Sequence, residues 1–213
     1  MYKQPTESPY PIPSREEHFD FLVRCYFGEG RDLLRLCIHR AYLDFNRTMH
    51  GFASHKEADH LRQGAYDCVF ELLIALRRSK IRSQLEFDKW HEAACTQLQQ
   101  LYRNGRFKSF TVGQAQKWLN MSLKYVFAIG EDRLPGFAQF YGFAHVPIDN
   151  VFLERAVVLG GPRLPVAWSR LNDYSVYLNC QRAFRDLFHN SIPLAAEFRL
   201  WLGGSAASDK TIP

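Results

Sequence analysis

The sequence has few cysteines, and they form no pattern in which cysteine usually carries chemistry. Five cysteines are spread over 213 residues, an odd number, and no two of them form a Cys-x-x-Cys pair. An iron–sulfur centre would need a cluster of cysteine ligands, so no such centre is indicated. Free and mostly buried thiols, kept reduced in the cytoplasm, are the simplest interpretation.

Long apolar runs are also missing. No stretch reaches the ~18 consecutive apolar residues of a membrane span. The N-terminal segment MYKQPTESPYPIPSREE contains four prolines and no apolar core, unlike a signal peptide or a membrane anchor. We therefore expect a cytoplasmic protein without membrane contact, associated with the nucleoid if its partner is DNA.

Sites for metals and nucleotide cofactors are not evident either. His50, His55 and His60 recur every five residues, a spacing that does not place them on one face of a helix. The segment GEGR at 28–31 lacks the Gly-Lys-Ser/Thr of a phosphate loop. No metal and no cofactor are therefore predicted.

The composition is that of an ordinary globular protein with a basic bias. Hydrophobic residues make up 46% and charged residues 23% of the chain, and the length allows one domain with a full core or two small ones. The formal net charge is +5 and the pI is about 9.0. These values suit a nucleic-acid partner without requiring one.

Apolar residues recur at helical spacing along most of the chain. Ser14 followed by Glu17 has the form of a capping box. Residues 131–147 combine prolines, glycines and aromatics, and they are predicted to form a loop. Helices are predicted from Ser14 to the GEG segment at 28–30, over about 31–50, 56–79, 87–103 and 112–129, after Asp149, and over about 174–188 and 194–202.

The predicted fold class is all-α, since strand signals are few and no linker between domains is evident. A compact multi-helix domain is expected over residues 14–202, either as one body or as two helical lobes around a cleft. A proline-rich arm over residues 1–13 precedes it. A tail over residues 203–213 is expected to be disordered.

The segment FTVGQAQKWLNMSLKYVF (110–127) contains the first candidate for chemistry. Thr111 and Gln114 form a second capping box, so the helix is expected to begin at Thr111. Exposed N–H groups at a helix start suit a phosphate, and Gly113 would let it approach closely. Lys117 follows one to two turns later, near the positive end of the helix dipole, which mildly disfavours its protonation.

The segment HVPIDNVFLERAV (145–157) contains the second candidate. Asp149 is placed to cap the helix that follows Pro147, and its carboxylate would be ionised near neutral pH. Capping alone explains an aspartate at this position, although the two roles can coexist. Lys117 and Asp149, each near the start of a helix, could then face one another across a cleft.

Together these segments resemble the helix-hairpin-helix DNA glycosylases, and most closely the 8-oxoguanine glycosylase/lyase branch. Val112 and Gly113 match the end of the hairpin, Lys117 the catalytic lysine, Asn120 the asparagine that often follows it, and residues 146–149 the aspartate stretch. The resemblance covers about residues 105–157. The chain departs from the family pattern where the first hairpin glycine is lost, and in the long separation between lysine and aspartate.

The resemblance implies a helix-hairpin-helix glycosylase fold and a DNA base-excision glycosylase with AP-lyase activity. Its substrate would be double-stranded DNA with an altered purine such as 8-oxoguanine, flipped into a pocket of a monomeric enzyme. Lys117 would attack C1′ of the sugar and form a Schiff base. Asp149 would stabilise the positive charge that develops on the sugar.

The remaining site predictions concern DNA contacts and the base pocket. Basic residues before the hairpin suit phosphates, and DNA contacts are predicted for Thr111, Gly113, Arg106 and Lys108. The pocket is predicted to include Phe143, His145 and Trp168. His145 and Arg133 are predicted as cationic neighbours that favour the neutral amine of Lys117.

Two alternatives stay open. Lys117 lies about 200° around the helix from Leu119, at 100° per residue, so helical spacing alone favours a solvated lysine. Lys124 has no comparable motif and is assigned to the solvated face. The alternative function is a catalytically inactive helical module, binding nucleic acid or protein on the same fold.

Overall fold

The computed structural model describes residues 11–203 and contains no strand in that range, which confirms the all-α prediction. The predicted arm lies outside it except for residues 11–13, and the predicted tail lies outside it after residue 203. The α-helices are α1 (Arg15–Phe27), α2 (Leu33–Phe45), α3 (Ala58–Arg78), α4 (Gln84–Asn104), α5 (Val112–Ile129), α6 (Asn150–Val158), α7 (Tyr174–Leu187) and α8 (Pro193–Trp201). Short 3₁₀ turns occur at Asn46–Thr48, Ala138–Phe140 and Trp168–Arg170.

Side-chain caps fix where several helices begin. The predicted capping box at Ser14 is present, and so is the one at Thr111, where the side chain accepts from the Gln114 N–H. The helix predicted from about residue 87 begins earlier, at Gln84. Ser83 and Glu86 form a reciprocal capping box there, and this box satisfies N–H groups of the first turn.

The second helix is shorter than predicted. It ends at Phe45, and the chain continues as a 3₁₀ turn over Asn46–Thr48. The Thr48 hydroxyl donates to the Phe45 carbonyl at 2.8 Å, which satisfies one of the carbonyls left without a partner where the α-helix ends. The tighter turn therefore stops the helix before the predicted end at residue 50.

Helix α5 lies at the centre of the molecule. Sixteen of its 18 residues are buried, as expected for a helix enclosed on all sides. It packs most extensively against α2. The indole Nε1 of Trp118 donates to the Ile38 carbonyl at 3.0 Å, and the Trp118 and Tyr42 rings lie 5.1 Å apart.

Helix α1 lies at the edge of this core, with only Val23 buried. Its outer turn is held by polar contacts, since Arg133 forms ion pairs with Asp20 and Glu16. The prediction that Arg133 is a cationic neighbour of Lys117 is therefore wrong: the guanidinium is held by α1 carboxylates. The last turn of α1 brings Tyr26 to α5, where its hydroxyl lies 3.0 Å from that of Tyr125.

Two further expectations concern cysteines and membrane spans. All five cysteines are free, and three of them, Cys37, Cys95 and Cys180, are buried. Within residues 11–203, no helix combines the length and the apolar character that crossing a membrane requires.

Candidate active site

A cavity of about 780 Å³ opens beside α5. Its walls come from α2, the start of α6, the turn at 168–170 and α8, and the end of α1 covers one side. Helix α5 contributes Lys117, Met121, Lys124 and Ala128, which recur at the spacing of one helical face. The two lysines of the segment 110–127 therefore share one cavity.

Lys117 and Asp149 form an ion pair in this cavity. The Lys117 Nζ lies 2.5 Å from Asp149 Oδ2, and only 4% of Lys117 is exposed. The other oxygen, Oδ1, accepts from the Phe152 N–H at 2.8 Å and caps α6. The capping role and the partnership with lysine thus coexist, one on each oxygen. The alternative that Lys117 is solvated is wrong.

Lys124 is not on a solvated face, and that prediction is wrong as well. Only 7% of it is exposed, and its Nζ lies 2.7 Å from each oxygen of Glu197, itself 3% exposed. Oε1 accepts a directed hydrogen bond, whereas Oε2 contacts the ammonium without hydrogen-bond geometry and accepts no other hydrogen bond from residues 11–203. Burial raises the pKa of Glu197, and Lys124 opposes that shift. The Phe198 ring lies 4.7 Å from the ammonium.

A second polar group lies on the α2 side of the cavity. The Tyr125 hydroxyl donates to Asp44 Oδ2 at 2.6 Å. Burial, followed by this carboxylate, raises the pKa of Tyr125. The Arg40 guanidinium lies over the Tyr26 ring, 4.6 Å from its centroid, and 3.6 Å from Asp44. All four side chains line the cavity.

The start of α5 is closed by the turn at 168–171. The Gly113 N–H donates to the Leu171 carbonyl at 2.8 Å, and the Thr111 hydroxyl donates to the Ser169 carbonyl at 2.9 Å. A Cβ on Gly113 would lie 1.7 Å from the Trp168 carbonyl oxygen. The phosphate contacts predicted for Thr111 and Gly113 are therefore corrected, because backbone carbonyls already hold these donors. The glycine allows close packing of the chain.

The other predicted site residues fall into separate places. Trp168 lines the cavity, as a base-pocket residue would. Phe143 and His145 are absent from its walls, so the structure does not support a pocket role for them. Arg106 and Lys108 are exposed on the connection before α5, also away from the cavity walls. They remain predicted DNA contacts outside the cavity.

His145 belongs to a buried network instead. Its Nε2 lies 2.7 Å from Asp88 and its Nδ1 lies 2.8 Å from the Tyr177 hydroxyl. Arg185 binds both oxygens of Asp88 at 3.0 Å. Burial would raise the pKa of Asp88, but hydrogen bonds from His145 and Arg185 hold it well below its ordinary value. Burial in turn lowers the pKa of His145. Because His145 is held in this network and is absent from the cavity walls, the prediction that it lies beside Lys117 is wrong.

The network continues to α5 and ends at the site. The Asn120 amide donates to the Tyr177 hydroxyl at 2.9 Å and to Gln116 Oε1 at 3.0 Å. The Gln116 side chain accepts from the Ile148 N–H at 3.2 Å and donates to the Ile148 carbonyl at 3.0 Å. Ile148 directly precedes Asp149, so this amide fixes the backbone beside the ion pair. Two amides on a buried helix are the signal that sequence reasoning could have used.

No group of three or more histidine, cysteine, aspartate or glutamate side chains within residues 11–203 is arranged to hold a metal ion. The two lysine–carboxylate pairs and the aromatic side chains are the groups of the cavity that could bind or act on a ligand. Comparisons with protein-family models, with curated proteins and with solved structures find no match for this chain.

Proposed function

We propose that this protein is a DNA base-excision glycosylase with associated AP-lyase activity, and that it removes an altered purine of the 8-oxoguanine type. The observation that carries this proposal is the Lys117–Asp149 pair, with Nζ 2.5 Å from Oδ2, on the wall of a cavity of about 780 Å³. A primary amine, a carboxylate and space for a flipped nucleotide are what Schiff-base excision requires.

The chemistry begins with loss of a proton from the Lys117 ammonium, for which Asp149 Oδ2 is the adjacent acceptor. The amine then forms a bond to C1′ while the bond from C1′ to the base breaks. The base leaves with the bonding electrons and takes the proton that Asp149 held, so the carboxylate is charged again as positive charge grows on the sugar. The nitrogen then loses a proton to the ring oxygen as the sugar ring opens, which gives the Schiff base. Asp149 next accepts a C2′ proton, and the 3′ phosphate leaves with the electrons of its bond to C3′.

The same face of α5 offers a place for the base. Lys117 and Lys124 are separated by about 10.5 Å along the axis, at 1.5 Å per residue, and Met121 lies between them. A purine lying across Met121, whose sulfur suits an aromatic face, would place its sugar at Lys117 and its far edge at the Lys124–Glu197 pair. Trp168 adds an aromatic wall.

The second ion pair favours a guanine-type edge. The Lys124 ammonium can donate to a purine 6-oxo group, and the two oxygens of Glu197 can accept from the adjacent N1–H and 2-amino groups. Oε2 of Glu197 is paired with the ammonium at 2.7 Å without a directed hydrogen bond from residues 11–203, so it can accept one from a ligand. Adenine has no pair of adjacent donors on this edge. The substrate class is thus a purine with the guanine hydrogen-bonding pattern.

A second candidate function is a binding module that lacks catalysis on the same fold. It is favoured by the closed start of α5, where Leu171 occupies the Gly113 N–H, and by the Lys117 amine being held in an ion pair. Such a module would bind DNA but would release no base.

Borohydride trapping separates the two. The protein is incubated with a duplex containing one 8-oxoguanine and with borohydride, which reduces a Schiff base to a stable adduct. Wild type and Lys89→Ala, which changes an exposed lysine on α4, should both be trapped, and Lys117→Ala should not. Asp149→Asn keeps a capping side chain but should slow base release by about 10²–10³-fold. DNA binding without an adduct, or equal trapping of Lys117→Ala, would refute the glycosylase proposal.

A further inference from the structure

Arg40 is a partly buried cation on the α2 side of the cavity, and its hydrogen bonds are incompletely satisfied. Its side chain is 31% exposed, and its Nε is buried without a hydrogen-bond partner among residues 11–203. Its contact with Asp44 is 3.6 Å, too long for a hydrogen bond. A guanidinium has five N–H donors, and leaving a buried one without an acceptor is costly. The Nε–H of Arg40 therefore lacks an acceptor among these residues.

The neighbours of Arg40 satisfy its guanidinium only in part, with the Tyr26 hydroxyl as one hydrogen-bond partner. Asp44 already accepts from the Tyr125 hydroxyl at 2.6 Å, so this carboxylate is shared. The guanidinium carbon lies over the Tyr26 ring, 4.6 Å from its centroid. The side chain is 31% exposed, so its outward N–H groups can meet an oxyanion in the cavity.

The charges of the cavity walls also favour an anion. Lys117 and Lys124 each face a carboxylate within 2.7 Å, so the positive excess lies at Arg40 on α2 and at Arg47 in the 3₁₀ turn that follows. Arg47 is exposed and forms no ion pair with residues 11–203. The walls carry four cations and three carboxylates: Arg40, Arg47, Lys117, Lys124, Asp44, Asp149 and Glu197.

We propose that Arg40, together with Arg47, binds phosphodiester oxygens of the DNA strand whose nucleotide enters the cavity. This inference rests on the proposed function. A flipped nucleotide brings its two flanking phosphates to the mouth of the cavity, and the start of α5 cannot grip them because Leu171 holds the Gly113 N–H. The planar fork of an arginine can donate two parallel hydrogen bonds to a phosphate, and α2 together with the 3₁₀ turn that follows it offers two such side chains on the cavity wall.

The test measures equilibrium binding to a short duplex that carries one tetrahydrofuran abasic analogue. The duplex has either natural linkages or neutral methylphosphonates on both sides of the analogue. Wild type should lose about tenfold in affinity when those linkages are neutral. Arg40→Gln should bind the natural duplex about tenfold more weakly and respond little to the neutral linkages. Its salt dependence should fall by about one ion.

Two further variants serve as controls. Arg35→Gln removes the same charge from an exposed position of α2 that pairs with Asp67 and lies outside the cavity walls, so it should behave as wild type. Arg40→Lys keeps the charge without the fork, so it should keep the salt dependence and lose part of the affinity. If circular dichroism shows that Arg40→Gln is unfolded, the affinity of Arg40→Lys for the duplex decides whether the arginine binds phosphate.

The outcomes separate this site from the proposed reaction. Unchanged affinity of a folded Arg40→Gln, with normal trapping of wild type, refutes the phosphate site alone. If neutral linkages weaken binding only when Arg40 is present, but borohydride traps no adduct, the glycosylase proposal is refuted and the phosphate site stands. A third outcome is that inorganic phosphate stabilises wild type against unfolding but does not stabilise Arg40→Gln, while neutral linkages have no effect on DNA binding. This result would assign the site to free phosphate and overturn the DNA assignment. No DNA binding refutes both.

Discussion

Replacing Lys124 by methionine should destabilise the fold far more than replacing an exposed lysine. The change keeps the apolar stem and removes the charge, so Glu197, which is 3% exposed, loses its counter-ion. Removing one partner of a buried ion pair costs about 3–5 kcal/mol, because it leaves the other charge buried and uncompensated. We expect a loss of that size in the free energy of unfolding.

The loss should depend on pH in a defined direction. Burial raises the folded-state pKa of Glu197 above its ordinary value of 4.5, and removal of Lys124 should raise it further. A group with a raised folded pKa contributes stability that is fully present below its unfolded pKa and is lost as the pH rises through the folded pKa. The variant should therefore differ little from wild type below pH 4.5 and most at neutral pH.

Urea unfolding, followed by circular dichroism at acidic and neutral pH, measures both effects. Lys89→Met, on the exposed side of α4, is the matched control and should change stability by less than about 0.5 kcal/mol. The double variant Lys124→Met/Glu197→Leu should recover most of the loss, since an apolar pair can replace a buried ion pair. A Lys124→Met loss no larger than the control would show that Glu197 is not a buried anion.

Two further predictions concern the start of α5 and the buried network. Gly113→Ala should lower the free energy of unfolding by about 3 kcal/mol, because the added methyl would lie 1.7 Å from the Trp168 carbonyl oxygen. Gly64→Ala, inside α3 with nothing closer than 4.0 Å, should raise it by about 0.5–1 kcal/mol. Equal urea midpoints for the two variants would contradict the close packing at Gly113. Burial lowers the pKa values of His91 and His145 below 6.5, so their contribution is present above pH 6.5 and is lost as the pH falls. Urea midpoints that do not decrease as the pH is lowered below 6.5 would count against two neutral histidines.

Local signals in the sequence predicted most of the helices and one of the two lysine–carboxylate pairs, Lys117 with Asp149. Thr111 with Gln114 placed the start of α5, and Asp149 placed the start of α6, because a cap involves only residues three apart. The same two helix starts bring Lys117 towards Asp149. Short-range chemistry of this kind can be found in a single sequence.

The closure of the α5 start could not be found in the same way. It depends on Leu171 and Ser169, which meet Gly113 and Thr111 only after the chain has passed through α6 and returned. A glycine next to a helix start suits a phosphate and a backbone carbonyl equally well, since both need close approach to an N–H group. Only the fold decides which of them occupies the position.

The misplacement of Lys124 has a different cause, and it shows what helical periodicity can and cannot distinguish. Lys117 and Lys124 recur on the face opposite Leu119, and periodicity assigns such a face to solvent. A cavity wall produces the same pattern, because it also needs polar side chains opposite the core. Composition separates the two cases: α5 contains only these two charged residues in 18, without an acidic neighbour three or four positions away, whereas a solvated face of that length usually carries charges of both signs. A helix with isolated cations of one sign and otherwise amide, hydroxyl and apolar side chains therefore indicates that the counter-ions come from elsewhere in the fold. Here Asp149 and Glu197 supply them.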